Sequence, residues 1–427
     1  MFKKYDAYKD SGVEWLGEVP NSWNVVELKR VVKEHSGNGF PIELQGNEEG
    51  KIPFLKVSDI SGELKSIQQS SNYVTEKVRK RNKWNLVPKN SLVTGKIGEA
   101  LRKNHRKILL EDSIIDNNCI GIEAIKIDYS FNYYLHKIID FEWFVNPGTI
   151  PSISVSKYKN FKICLPSINE QYAIVNFLDQ KTSEIDQAIA IKEQQIALLN
   201  ERKQIVIQKA VTQGLNPHVA MKDSGVEWIG KIPEHWEIQK VKHLFQLIIE
   251  PAPKNNDLEL LSVYTDIGVK PRKELEERGN KASTTDGYWK VQKGDIIVNK
   301  LLAWMGAIGL SNYEGVTSPA YDILRARKPL SPYFYHLLFR SPICSSELKK
   351  HSRGIMDMRL RLYFDKFGDV LVPYAPITEQ NEIIKYIEVE EQKINAGIEL
   401  INQQIEKLKE YKTTLINDAV TGKIKVA

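Results

Sequence analysis

At 427 residues, with 42% hydrophobic and 27% charged side chains, the chain is too long for one core and has the composition of a folded protein of two or three domains. No run approaches the roughly 18 to 20 apolar residues of a membrane span, and the opening Met1-Phe-Lys-Lys lacks the apolar centre of a secretory signal. Three dispersed cysteines (Cys119, Cys164 and Cys344) form no Cys-x-x-Cys pair, which argues against a disulfide framework or thiolate zinc site and for a reducing cytoplasm; a net charge of +6 permits an anionic partner without requiring one.

The first element is a motif that returns. Asp10-Ser-Gly-Val-Glu-Trp-Leu-Gly17 reappears as Asp223-Ser-Gly-Val-Glu-Trp-Ile-Gly230, and each copy runs on through Pro20 or Pro233 to Trp23 or Trp236, all at an offset of 213. Short β-rich runs follow at Ile52–Val57, Ser91–Thr94 and Ile120–Ile122, and a helical stretch at Asn132–Phe144. The second half offers Asp295–Val298 as a strand and Pro332–Phe339 as a helix. Each head is therefore read as α+β (mixed α/β). Trp15, Trp23, Trp228 and Trp236 read as core anchors, with base stacking as the alternative.

Each half closes on a second repeat. Glu170-Gln171 matches Glu379-Gln380, and Ala210-Val-Thr212 matches Ala419-Val-Thr421, at a constant offset of 209. Between these landmarks the spacing is that of a heptad seam: Leu178, Thr182, Ile185, Ile189, Lys192, Ile196, Leu199, Lys203, Val206 and Ala210, then Ile387, Glu391, Ile394, Ile398, Ile401, Ile405, Leu408, Lys412, Leu415 and Ala419. Asn169 and Thr378 are candidate N-caps, and Gly214 and Gly422 are stops. Each helix spans about 45 residues, on the order of 65 Å. A head of about 160 residues cannot cover such a stripe, and a compact head has its ends close together, so the helices are expected to pair as an antiparallel coiled coil with a pseudo-two-fold between the heads. The alternative is that each packs separately on its own head. The middles of the heads match loosely, with Val93–Lys96 set against Ile297–Lys300, and Tyr158 and Phe161 against Phe364 and Phe367.

The heads carry no phosphate-binding loop, no methyltransferase motif, no Gly-x-Gly-x-x-Gly, no His-Glu-x-x-His and no Gly-x-Ser-x-Gly. Basic clusters are present instead. Head one has Arg79, Lys80 and Arg81, then Lys96, Arg102, Lys103 and Arg106; head two has Lys300, Arg353, Arg359 and Arg361. Such residues neutralise phosphates and bond guanine edges, which makes them candidate DNA contacts; a solvated face is the alternative for any one cluster. Catalytic and metal sites are not indicated.

With its duplicated Asp-Ser-Gly-Val-Glu-Trp-(Leu/Ile)-Gly…Pro…Trp motif and repeated Glu-Gln…Ala-Val-Thr helix, the sequence resembles the specificity subunits of type I restriction–modification systems over nearly its whole length. That resemblance implies target recognition domains at 1–165 and 216–372, joined by spacer helices at 166–215 and 373–427. It implies that each head reads half of a split double-stranded DNA target, and that the helices set the spacing and dock two methyltransferase subunits. S-adenosylmethionine, ATP and Mg²⁺ would belong to those and to the restriction/translocase subunits, with no cofactor on this chain. A protein-interaction scaffold without DNA recognition, and an enzyme with an unrecognised site, are the alternatives.

Overall fold

The computed structural model describes residues 2–426 apart from 48, 63, 147, 149–150, 276–284 and 355–358. The chain divides into two compact units, one of Met1–Ile191 with Gln403–Ala427 and the other of Lys192–Asn402. Both divisions fall inside the long helices. No helix among the described residues is long and apolar enough to cross a membrane.

Unit one is built on four antiparallel strands, β1 (Val32–Ser36), β2 (Leu92–Gly95), β3 (Arg106–Ile108) and β4 (Cys119–Ala124), in the order β1-β4-β2-β3. Helix α1 (Tyr129–Ile138) contributes Phe131, Tyr134 and Leu135 to the same core. It begins three residues earlier than its periodicity suggested, because Asp128 accepts the N–H groups of Ser130 and Phe131; a separate 3₁₀ turn then covers Phe141–Phe144. Unit two repeats the plan with β5 (Phe245–Ile248), β6 (Ile296–Asn299), β7 (Ile308–Leu310) and β8 (Tyr321–Ala326), in the order β5-β8-β6-β7, and a helix at Pro332–Phe339. The additions differ. Unit one adds a small sheet around Ile52–Leu55, whereas unit two adds the ribbon Leu261–Tyr264 with Gly268–Pro271, which explains the loose sequence match between the middles.

The two long helices are α2 (Ile168–Gln213, 46 residues) and, numbering the Pro332–Phe339 helix α3, α4 (Ile377–Val420, 44 residues). Asn169 and Thr378 sit inside the first turns rather than capping them. Ser167 Oγ accepts the Glu170 N–H at 3.4 Å, and the carbonyl of Pro376 accepts from Gln380 at 2.9 Å. In unit one the start of α2 packs on the end of α4: Leu178 and Ile185 share a core with Leu415, Ile416 and Ala419, and Lys412 Nζ lies 2.6 Å from Asp186. In unit two the end of α2 packs on the start of α4, with Ile207, Ala210 and Val211 beside Ile383 and Ile387, and Lys203 Nζ 3.3 Å from Asn395 Oδ1. Within each unit the pairing is antiparallel. Leu178, Ile185, Ile387, Ile394, Ile405 and Leu415 are buried; Ile189, Ile196, Leu199, Val206, Ile398, Ile401 and Leu408 are half-buried.

The repeated motifs lock these helices onto the sheets. Fully buried Trp23 donates its indole N–H to Glu170 at 3.0 Å, and Trp236 donates to Glu379 at 2.9 Å. Gln171 accepts the Asp128 N–H and donates to the Pro166 carbonyl; Gln380 does the same with Ser331 and Ala375. The helix-end glycines take positive φ, +73° at Gly214 and +77° at Gly422. Trp15 stacks on Phe161 at 5.1 Å and bonds the Lys162 carbonyl, so the tryptophans of the motif are anchors.

The matching glutamine contacts align Asp128 with Ser331, and hence Asn132 with Tyr335 and His136 with Phe339. His136 Nε2 is 2.8 Å from the Tyr158 hydroxyl, whereas the ring of Phe339 packs on Phe367 at 5.1 Å. Tyr158 thus corresponds to Phe367, not to Phe364 as the sequence alignment had it. Register likewise pairs Thr94 with Arg106 and Val298 with Ile308, so unit one holds arginine, histidine, tyrosine and asparagine where unit two holds isoleucine, two phenylalanines and tyrosine. Burial, reinforced by the charge of Arg106, pushes His136 down to about 3. In unit two burial pushes His336 down to about 4, and its Nδ1 accepts the Leu310 N–H.

Two outcomes follow from this packing. A methyl group on Gly422 would lie 2.5 Å from the Pro20 ring, whereas one on Gly214 would come to 3.1 Å from the Glu379 carboxylate and into ordinary contact with Trp236 and Pro233. Gly214→Ala should therefore cost about 1 kcal/mol from backbone strain alone, and Gly422→Ala about 2 to 4 kcal/mol, measured by denaturant unfolding. Second, a histidine whose folded pKa is depressed stabilises fully above its unfolded value near 6.5, and its contribution is lost as pH falls, at up to ~1.4 kcal/mol per pH unit. Replacing His136 and Tyr158 together by Phe, the pair that unit two carries, should flatten the loss of stability between pH 6.5 and 4, leaving the share of His336.

Candidate nucleic-acid interface

The charged residues singled out by the sequence divide into those that face solvent and those held inside. In unit one, Thr75 caps the short helix Glu76–Asn82 by accepting the Val78 N–H. Arg79 on that helix is bound to the Glu76 carboxylate at 2.6 and 2.7 Å and donates to the Trp84 carbonyl. The hydrogen bond from Arg79 takes Glu76 down to about 2, and Arg79 is paired within its own helix. Lys80 lies 3.6 Å from Glu76, while Arg81 is exposed and makes no ion pair with any described residue.

The second cluster of unit one lies around the turn that leaves β2. Lys96 is half-buried, with its N–H bonded to the Asn118 carbonyl. Arg102 and Lys103 are exposed, and Arg102 contacts Glu142 at 2.9 Å. Leu101, between the turn and the sheet, is fully buried and anchors the segment. Beside it opens a cleft of about 250 Å³ whose lining includes Ile60, Ser61, Glu99, Lys103 and His105. Glu99 carried no signal in the sequence, whereas His105 lies within the basic stretch Leu101–Lys107; only the folded turn brings the two to one hollow.

Arg106 departs from its expected role. It is 2% exposed, its guanidinium sits 4.2 Å over the Phe141 ring and donates to Asn104 and to the Ile139 carbonyl, and it cannot reach a phosphate. The physical cause is its strand position: β3 is buried along its whole length, so a residue there points into protein whatever its charge. Burial takes Arg106 down to about 10. In this core Nε and Nη1 of Arg106, the Asn132 amide and the Thr94 hydroxyl have no protein partner among the described residues.

In unit two Lys300 is also committed internally. Its Nζ donates to the Pro319 carbonyl at 2.8 Å and lies 3.3 Å from Asp322, whose carboxyl burial pushes up while Lys300 pulls it back. Arg353 and Arg361 exchange both backbone hydrogen bonds at 2.9 Å, and the Leu362 N–H donates to the Lys300 carbonyl. The structure thereby brings Lys300, Arg353 and Arg361 together from distant stretches of sequence. Arg353 is exposed beside Asp365, Arg359 is exposed, and half-buried Arg361 donates to the Leu360 carbonyl. Lys349 joins them, with Nζ 4.8 Å from the Trp304 ring centroid. Among the described residues no group of three histidine, cysteine or carboxylate side chains is placed to hold a metal.

Residues 20–201 match the type I restriction modification DNA specificity domain. The chain is 24% identical to the type I restriction enzyme MjaVIII specificity subunit of Methanocaldococcus jannaschii, covering 96% of this chain and 94% of that protein. It is 22% identical to the EcoBI specificity subunit of Escherichia coli, covering 89% and 81%. Among solved structures, a chain from work on assembly and conformational transition of the type I R-M system has a TM-score of 0.63 at 14% identity, covering 94% of this chain and 98% of its own. The HsdS subunit from Thermoanaerobacter tengcongensis has a TM-score of 0.53 at 13% identity, covering 95% and 98%. Fold and sequence together define a DNA specificity protein. Over nearly its whole length the chain is similar to the specificity subunits of type I restriction–modification systems, and residues 20–201 carry the match to their DNA specificity domain.

Substitution should separate the internal arginine from the exposed one. Arg106→Ala should lower unfolding stability by about 2 to 4 kcal/mol through the hole and the polar groups it strands, whereas Arg102→Ala should stay within about 0.5 kcal/mol, both read by denaturant titration.

Proposed function

We propose that each unit reads one half of a bipartite double-stranded DNA target, and that the paired helices fix the separation of the half-sites and carry the methyltransferase subunits. The observation that carries this reading is the duplication itself: one chain holds two copies of the same sheet-and-helix unit, with exposed cations on each, Arg102 and Lys103 in unit one and Arg353 and Arg359 in unit two. A single small unit discriminates a few base pairs at about 1 to 3 kcal/mol each, and joining two makes the second recognition event intramolecular. Exposed apolar side chains off the seam support a helical partner. Leu198 and Ile205 on α2, and Val389 and Leu400 on α4, are 46 to 56% exposed. The chain is the recognition subunit of the complex. S-adenosylmethionine, ATP and Mg²⁺ are assigned to the methyltransferase and restriction/translocase subunits, and the assembly to the cytoplasm.

Replacing residues 24–160 by the matching stretch of another specificity subunit should change one half of the methylated sequence and leave the other intact. The readout is a map of methylated adenines in a host expressing the chain with its methyltransferase. A change in both halves together would sink the two-reader account.

A further inference from the structure

The two units place the same loop on the same frame and fill it with opposite chemistry. β2 and β6 occupy equivalent places in their sheets, and each is followed by a lysine, Lys96 or Lys300. Beyond that lysine the loops diverge. In unit one the exposed residues are Glu99, Arg102 and Lys103, beside the cleft described above. In unit two they are Leu301, Leu302 and Met305, which are 36, 40 and 52% exposed.

The loop of unit two is fixed rather than slack. Asn299 Oδ1 accepts the Leu301 N–H, the Asn299 carbonyl accepts from Leu302, and Gly306 turns the chain back at φ +87°. Arg340 donates to the carbonyls of Gly306 and Ile308 at 2.9 and 3.1 Å, and Ala303 is buried beneath. Large apolar side chains held out to water on a braced loop are unfavourable unless something covers them. Basic side chains border them: Lys349 lies over Trp304, and Arg353 and Arg361 are joined through the backbone to Lys300, with Asp365 beside Arg353 and Asp322 beside Lys300. An apolar tip inside a basic rim complements a surface that carries anions around a few apolar groups. In double-stranded DNA that surface is the major groove, where the 5-methyl of thymine is the apolar group presented between phosphates.

We propose that Lys300–Gly306 is the base-contacting loop of unit two, and that Leu302 and Met305 recognise thymine methyl groups in its half-site. The equivalent loop of unit one, with Glu99, Arg102 and Lys103, is built to read by hydrogen bonds instead. The proposal rests on the reading of this chain as a two-part DNA reader.

The test uses the full chain assembled with its methyltransferase, and duplexes carrying the methylated target. Each thymine of the unit-two half-site is replaced in turn by deoxyuridine, which removes only the methyl. For the unaltered chain, at least one replacement should weaken binding about 5- to 10-fold. In Leu302→Ala/Met305→Ala that discrimination should vanish, with the unit-one half-site and the melting temperature unchanged, because both side chains are exposed. Indifference of the unaltered chain to every replacement, or full discrimination retained by the variant, would overturn the proposal while leaving the two-part reader standing. Loss of methyltransferase assembly in the variant would also overturn it, by showing that the loop covers protein. Absence of sequence-selective binding by the unaltered complex would instead sink the underlying reading, and the proposal with it.

Discussion

The bond from a buried indole to the first-turn glutamate of a long helix fixes much of what surrounds it. Trp23 in unit one and Trp236 in unit two are fully buried, and an indole N–H without an acceptor in that setting would cost a few kcal/mol. Glu170 and Glu379 supply the acceptor. The same tryptophans press on the glycine that ends the other long helix, Gly422 beside Trp23 and Gly214 beside Trp236. One side chain therefore ties the beginning of one helix to the end of the other within its own unit, and this forces the antiparallel direction of the pair. Both glycines are required by a left-handed backbone, and Gly422 also by the closeness of the Pro20 and Trp23 rings.

The interior shows how differently a common frame can be filled. Arg106, His136 and Tyr158 of unit one stand where unit two has Ile308, Phe339 and Phe367. Both interiors close over the same order of strands, because the frame is set by strand pairing and by the clamps at the helix ends. Burial keeps His136 neutral, so its hydrogen bonds to Tyr158 and to the Asn132 carbonyl are those of an uncharged ring. The polar core of unit one is structural, and the arginine that looked like a phosphate contact is part of it.

Charge in the sequence was a weak guide to the surface. Arg79 and Lys300 are as basic as Arg81 and Lys103, but Glu76 and Asp322 stand against the first two. Glu76 is three residues from Arg79 and could have been weighed; Asp322 reaches Lys300 only through the pairing of β6 with β8. The apolar tip of unit two was invisible for the opposite reason. Leu301, Leu302 and Met305 read as ordinary core material in a linear sequence, and only the turn at Gly306 and the bracing by Arg340 hold them outward.

What the sequence determined by itself was whatever repeats or recurs with a fixed period. The 213- and 209-residue offsets exposed the duplication, and the heptad spacing marked the seam from Leu178 to Ala419, because helix packing writes its periodicity directly into the order of residues. The helix limits came within a few residues, missing only because Ser167 and Pro376, not Asn169 and Thr378, precede the first turns. Tertiary structure alone decided the arrangement of each sheet, the alignment of Tyr158 with Phe367, and which cations face water. These depend on strands brought together from distant parts of the chain, where burial is set by the neighbour across the sheet and not by the neighbour in sequence.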